Sequence, residues 1–186
     1  MTKVKTQVLT FIAAAIALNY LGANIALFLK LPLYLDMIGT LLIALLFGPW
    51  LGSVTAIVSA LLSWMTTDIF ALFYAPVAII TALTAGVFLR QHNRAKDLIW
   101  KTLCISFPGT LVASIITVIL FKGITSSGSS LLVQMLHGLG LDLTVSVIVI
   151  QAGTDYLDRL VSLLLVLMIS KALRKQLPHL LHTPNA

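Results

Sequence analysis

All six acidic residues of this chain are aspartates, and most of them interrupt long apolar sequence where a carboxylate must have a purpose. Asp36 follows the Pro32 turn and precedes the apolar run Met37 to Phe47. It can cap the helix that starts there, or face a polar cavity. Asp155 and Arg159 stand four apart, so on a helix they share a face and can pair; the alternative is that Asp155 contacts a ligand. Asn19, Tyr20 and Asn24 lie in the second half of the first apolar run, and amides in hydrocarbon require partners. Trp64 and Asp68 end the third run, Tyr74 opens the fourth, and Gln134, His137 and Gln151 come from the stretch before the last. Tyr34 lies beside Asp36. Together these groups have the chemistry of a pocket that hydrogen-bonds and stacks on a small polar molecule.

Signals for catalysis are weak. GITSSGSS has the glycine spacing of a phosphate loop, but Ser129 occupies the lysine position. His179 and His182 are three apart without a third ligand nearby, and no serine-centred nucleophile motif is visible. Asp155 and Asp158 resemble a carboxylate pair, yet adjacent Arg159 points to ion pairing. Cys104 is the single cysteine, which excludes an intrachain disulfide and a thiolate metal cluster. No cofactor, metal or catalytic residue is expected.

The elements that position these groups follow from composition. Of 186 residues, 59% are apolar and 10% charged, with mean hydropathy +1.05. That is an integral membrane protein whose first solvent is the lipid bilayer. The apolar runs have helical length rather than the alternation of barrel strands. The expected fold is a single all-α membrane domain over 1–186, a compact bundle of six transmembrane helices at about 7–29, 36–48, 50–65, 75–90, 101–121 and 152–172. The second is too short to cross upright, and Gly48-Pro49 separates it from the third. The first run lacks a clean signal-peptide cleavage site and reads as a retained helix.

Net charge is +6, and its placement speaks of orientation rather than nucleic acid. With both termini in the cytoplasm, Lys3, Lys5, Arg90, Arg94, Lys96, Lys101, Lys171, Arg174 and Lys175 fall inside, nine of the twelve basic residues. Asp36, Asp68, Asp142, Asp155 and Asp158 fall toward the outer face. A seventh crossing at 123–151 would reverse this bias for the C-terminal cluster. That stretch therefore reads as an outer lid or re-entrant segment, interrupted at Gly138, Gly140 and Asp142, and 173–186 as a cytoplasmic tail.

Ala13, Ala14, Ala15 and Ala17 form a small-residue face on the first helix, with Ala13 and Ala17 one turn apart, suited to internal packing or to docking another membrane subunit through Ala13, Ala14 and Ala17. Gly48 with Gly52, and Ala82 with Gly86, repeat the spacing and read as internal contacts. The alanine face, the runs LPLYLDMIGTLL and FGPWLG, and APVAIITALTAG together resemble the substrate-binding S components of energy-coupling factor (ECF) vitamin transporters, over nearly the whole chain. The resemblance implies a bacterial plasma-membrane protein that captures a water-soluble vitamin from outside, under loops between helices one and two and between five and six. It implies a transmembrane coupling subunit, docked on the alanine face, and two ABC-type ATPases. The acidic and aromatic outer side suits pyridoxine or hydroxymethylpyrimidine, with pantothenate next. A sensor or assembly module that moves no solute, and an intramembrane enzyme using Asp155 or Asp158, are the other classes.

Overall fold

The computed structural model describes residues 2–89 and 97–176. Arg90, Arg94 and Lys96 of the expected inner loop, and His179 and His182 of the tail, lie outside them. The described residues form helices α1 (Thr2–Phe28), α2 (Ile38–Phe47), α3 (Pro49–Thr66), α4 (Ala75–Phe88), α5 (Leu98–Ile119), α6 (Ser129–Gly138) and α7 (Leu143–Gln176).

The bundle is arranged around α2. Its ten residues rise only about 15 Å, half of the hydrocarbon thickness. Apolar on every side, it is covered on every side, by α1, α3, α4 and α7. Ile38 through Leu45 are all buried. Gly39 sets the approach to α1, because a Cβ there would lie 2.0 Å from the Ala15 carbonyl oxygen. Gly48, at φ 106° and ψ 171°, takes a conformation open to glycine alone. Pro49 then starts α3 at the position where its missing N–H costs nothing. The expected break at Gly48-Pro49 is therefore a tight hairpin. Gly52 packs on Ala44, Gly86 packs on Pro49, and Ala82 is fully buried, so both small-residue pairs are internal contacts. Ala13, Ala14 and Ala17 remain exposed on α1, while Ala15 between them is buried.

The apolar core gathers Met37, Leu41 and Leu45 of α2 with Ala85, Ile105, Leu163 and Val166 of its neighbours. Outward, Trp50, Trp100, Phe107, Ile115 and Met168 are exposed. In water so much apolar surface would drive aggregation; in a bilayer it faces its own kind of solvent. Among the described residues three helices are individually long and apolar enough to cross: Thr6–Phe28, Pro49–Thr66 and Leu98–Ile119.

The start of the last helix differs from expectation. It begins at Leu143 rather than 152 and continues for 34 residues, about 50 Å. Asp142 starts it by accepting the N–H groups of Thr144 and Val145, and these two bonds hold its pKa below the ordinary aspartate value, Val145 contributing most. Gly153, with open space where a Cβ would stand, does not interrupt the helix. The stretch expected as one lid thus divides into an irregular segment at 123–128, α6, a turn at 139–142, and the first turns of α7.

Candidate functional site

Segment 29–37, between α1 and α2, is held by a single carboxylate of α7. Asp158, with no solvent exposure, accepts the N–H of Tyr34 at 2.9 Å and of Leu35 at 2.8 Å on Oδ1. Its Oδ2 accepts from the Arg159 guanidinium. Arg159 also lies 3.9 Å from Asp36 Oδ1. These ion pairs replace the expected Asp155–Arg159 pair. Asp158 is the nearer partner, and segment 29–37 brings Asp36 to the other side of the guanidinium. Asp36 does not cap α2, which starts from Met37 without a side-chain bond.

Two of the three non-glycine residues with positive φ among the described residues, Lys30 and Leu35, lie in the same segment. Leu35 has φ 53°, a conformation uncommon for a branched residue. Beneath it Gly22 leaves room, since a Cβ there would come 2.1 Å from the Leu35 carbonyl oxygen. The two bonds to Asp158 and this close approach hold Leu35 where it is.

Two further segments close over the same end of the bundle. Tyr34 Oη meets Ser129 Oγ at 3.1 Å, and Gly128 rests on the Lys30 and Leu31 carbonyls. Ser126 Oγ donates to Asp68 Oδ2 at 2.8 Å, while Asp68 Oδ1 accepts the Phe70 N–H. Segments 29–37, 67–74 and 123–128 are thereby fastened to one another. Phe70, Phe73 and Tyr74 pack around Phe121, which fixes the rim.

Under these segments lies a cavity of about 110 Å³. The second half of α1, the second half of α3, the start of α4, and Ala113, Asp155 and Arg159 form its walls. Ala56, Ser59, Ala60 and Ser63 present a small polar stripe from α3 at helical spacing. Tyr74 Oη meets Thr117 Oγ1 at 2.6 Å, and Gln151 Nε2 donates to the same hydroxyl at 2.7 Å. Burial pushes the Tyr74 phenol up to about 12 and the Tyr34 phenol well above its ordinary range. Both are neutral hydroxyls at physiological pH.

Of the residues singled out from sequence, Asn19, Tyr34, Asp36, Asp68, Tyr74 and Asp155 line the cavity. Asn19 touches it from a structural post: its amide donates to Thr40 and Ser59 and accepts from the Gly39 N–H, tying α1, α2 and α3. Tyr20, Asn24, Trp64, Gln134, His137 and Gln151 do not line it. Asn24 donates to the Tyr20 carbonyl one turn back, and Trp64 is exposed on α3. Gln134 donates to the Gly123 carbonyl, and His137 meets the Leu141 carbonyl. Gln151 stands behind Tyr74 through Thr117. Sequence reading missed the serine stripe, although Ser59 and Ser63 stand four apart, one turn of helix.

A family model for the substrate-specific component of ECF transporters matches residues 7–170. The chain belongs to this family. No curated protein and no solved structure gives a significant match. As an ECF substrate-specific component the chain is a membrane-embedded transporter subunit for vitamin-type uptake, associated with a coupling T subunit and ATPase subunits around a small-molecule substrate.

Proposed function

We propose that this chain captures pyridoxine or hydroxymethylpyrimidine, with pantothenate as the next candidate, from the outer face of a bacterial plasma membrane. It delivers that solute with a coupling subunit and two ATPases, both of its own termini lying in the cytoplasm. The observation that carries the reading is the cavity beneath the three fastened segments. Its polar wall offers the hydroxyls of Tyr34, Ser59, Ser63, Thr67 and Tyr74 and the carboxylates of Asp36, Asp68 and Asp155. Its apolar wall offers Leu27, Leu33, Met37, Phe70 and Val77. A flat heteroaromatic ring with hydroxymethyl substituents matches both, the ring on the apolar wall and the hydroxyls on the polar one. Pantothenate ranks lower because the guanidinium that would meet its carboxylate, Arg159, is already matched by Asp158.

The test is purification in detergent without added vitamin, mass spectrometry of any co-purified small molecule, and calorimetry with each candidate. A stoichiometric vitamin B6 form or pyrimidine is expected. A folded sample that carries no ligand and gives no heat with any vitamin would move the assignment to a sensor or assembly module.

A further inference from the structure

The charges around the cavity do not balance. Asp36, Asp68, Asp155 and Arg159 line it, and Asp158 stands directly behind Arg159. The guanidinium is matched by Asp158 in full contact, both groups being buried. Asp68 spends its two oxygens on Ser126 and the Phe70 N–H. That leaves two carboxylates. Asp155 is only 6% exposed and faces the Thr110 hydroxyl, and no cation lies within 4.0 Å of it among the described residues, Arg159 acting on it from farther away. Asp36 is half-exposed, its side chain 46% accessible, with a buried Oδ1 that lacks a hydrogen-bond partner and one ion-pair contact, at 3.9 Å, to the already matched Arg159.

Nothing else in the walls supplies positive charge. Besides Asp36 and Asp68, segment 29–37 adds alkyl groups and the neutral phenol of Tyr34, and segment 67–74 adds apolar groups, the Thr67 hydroxyl and the phenol of Tyr74. Helices α1, α3 and α5 contribute amide, hydroxyl and alkyl groups, and Lys30 and Lys122 are exposed away from the lining. A buried carboxylate without a counter-ion is costly, and a cation placed beside it recovers that cost. An anion entering the same space would meet repulsion.

We infer that the cavity takes a ligand with a basic ring nitrogen and holds it in the protonated, cationic form, with Asp155 and Asp36 as its counter-ions. This rests on the solute-capture reading and adds the charge state of the bound solute. It makes Asp155 a specificity-determining residue that discriminates protonatable heteroaromatic rings from neutral and acidic solutes.

The full-length protein in detergent, titrated with pyridoxine, hydroxymethylpyrimidine and pantothenate, tests it. Calorimetry is run about one pH unit above the ring nitrogen's own pKa, in two buffers of different ionisation heat, and the ultraviolet spectrum of the bound ring is recorded. The expected result is uptake of about one proton per bound molecule and the spectrum of the protonated ring. Asp155→Asn, which keeps shape and loses charge, is expected to weaken binding by about tenfold or more and to lower the proton uptake. The spectrum separates a protonated ligand from a protonated aspartate, and if Asp155→Asn fails to fold, the wild-type spectrum decides. A bound ring with its neutral spectrum, or preferential binding of pantothenate, overturns this inference and leaves solute capture intact. Absence of binding by all three overturns the solute assignment and this inference with it.

Discussion

Asp158 performs two tasks with one carboxylate, holding the Tyr34–Leu35 backbone on one oxygen and neutralising Arg159 on the other. Removing it leaves a buried guanidinium and two N–H groups without their acceptor. Asp158→Ala should therefore lower stability by about 3 kcal/mol or more, read as a fall in the thermal unfolding midpoint in detergent. Gly22→Ala attacks the same segment from below. Its methyl would overlap the Leu35 carbonyl, and a loss of about 2 kcal/mol is expected; an unchanged midpoint would mean that segment 29–37 can lift off α1 freely. Tyr34→Phe keeps the ring and removes the hydroxyl with its bond to Ser129. Ligand release should speed up by roughly fivefold to tenfold at near-constant stability, in keeping with the worth of one hydrogen bond, and stopped-flow displacement measures it.

Among the elements, those bounded by local chemistry were legible and those bounded by distant contacts were not. Gly48-Pro49 announces the α2–α3 hairpin because glycine and proline act on their own backbone. Asp36, Asp68 and Tyr74 could be singled out because they stand at helix ends beside apolar runs. The partners of Arg159 could not, since segment 29–37 reaches α7 across more than 120 positions of sequence and no periodicity encodes that contact. The early start of α7 was hidden for a different reason. LTVSVIVI is rich in β-branched residues and follows two glycines, which reads as a break until Asp142 is seen to cap what comes next. That cap carries its own prediction. The folded Asp142 pKa lies below the ordinary value of 3.8. Its stabilisation is thus complete above that value and disappears as pH falls through the lower folded one. Hydrogen exchange in the first turn of α7 should accelerate over that acidic range, and Asp142→Ala should show the accelerated rate already at neutral pH.

For the whole molecule, the proposed solute site and the proposed subunit contact are different surfaces: a partly open cavity at one end of the bundle, and the exposed Ala13, Ala14 and Ala17 on the flank of α1. Replacing Ala13 and Ala17 together by leucine should leave solute affinity unchanged within about twofold while reducing uptake in cells that carry the partner subunits by tenfold or more, because bulk on a small-residue face prevents close helix approach. Equal loss of both would place the alanines in the folding of this chain instead of at a subunit contact. The fastening of segment 29–37 by Asp158 also has a meaning for biogenesis. The first wall of the cavity leaves the ribosome early, but its anchor belongs to α7, more than 120 residues later, and α2 is too short to settle in a bilayer without neighbours. A nascent chain stopped before α7 therefore holds no finished pocket. Solute occupancy becomes a report that synthesis and insertion have reached α7, and an excess of vitamin during expression would rescue late assembly defects while leaving early insertion defects untouched.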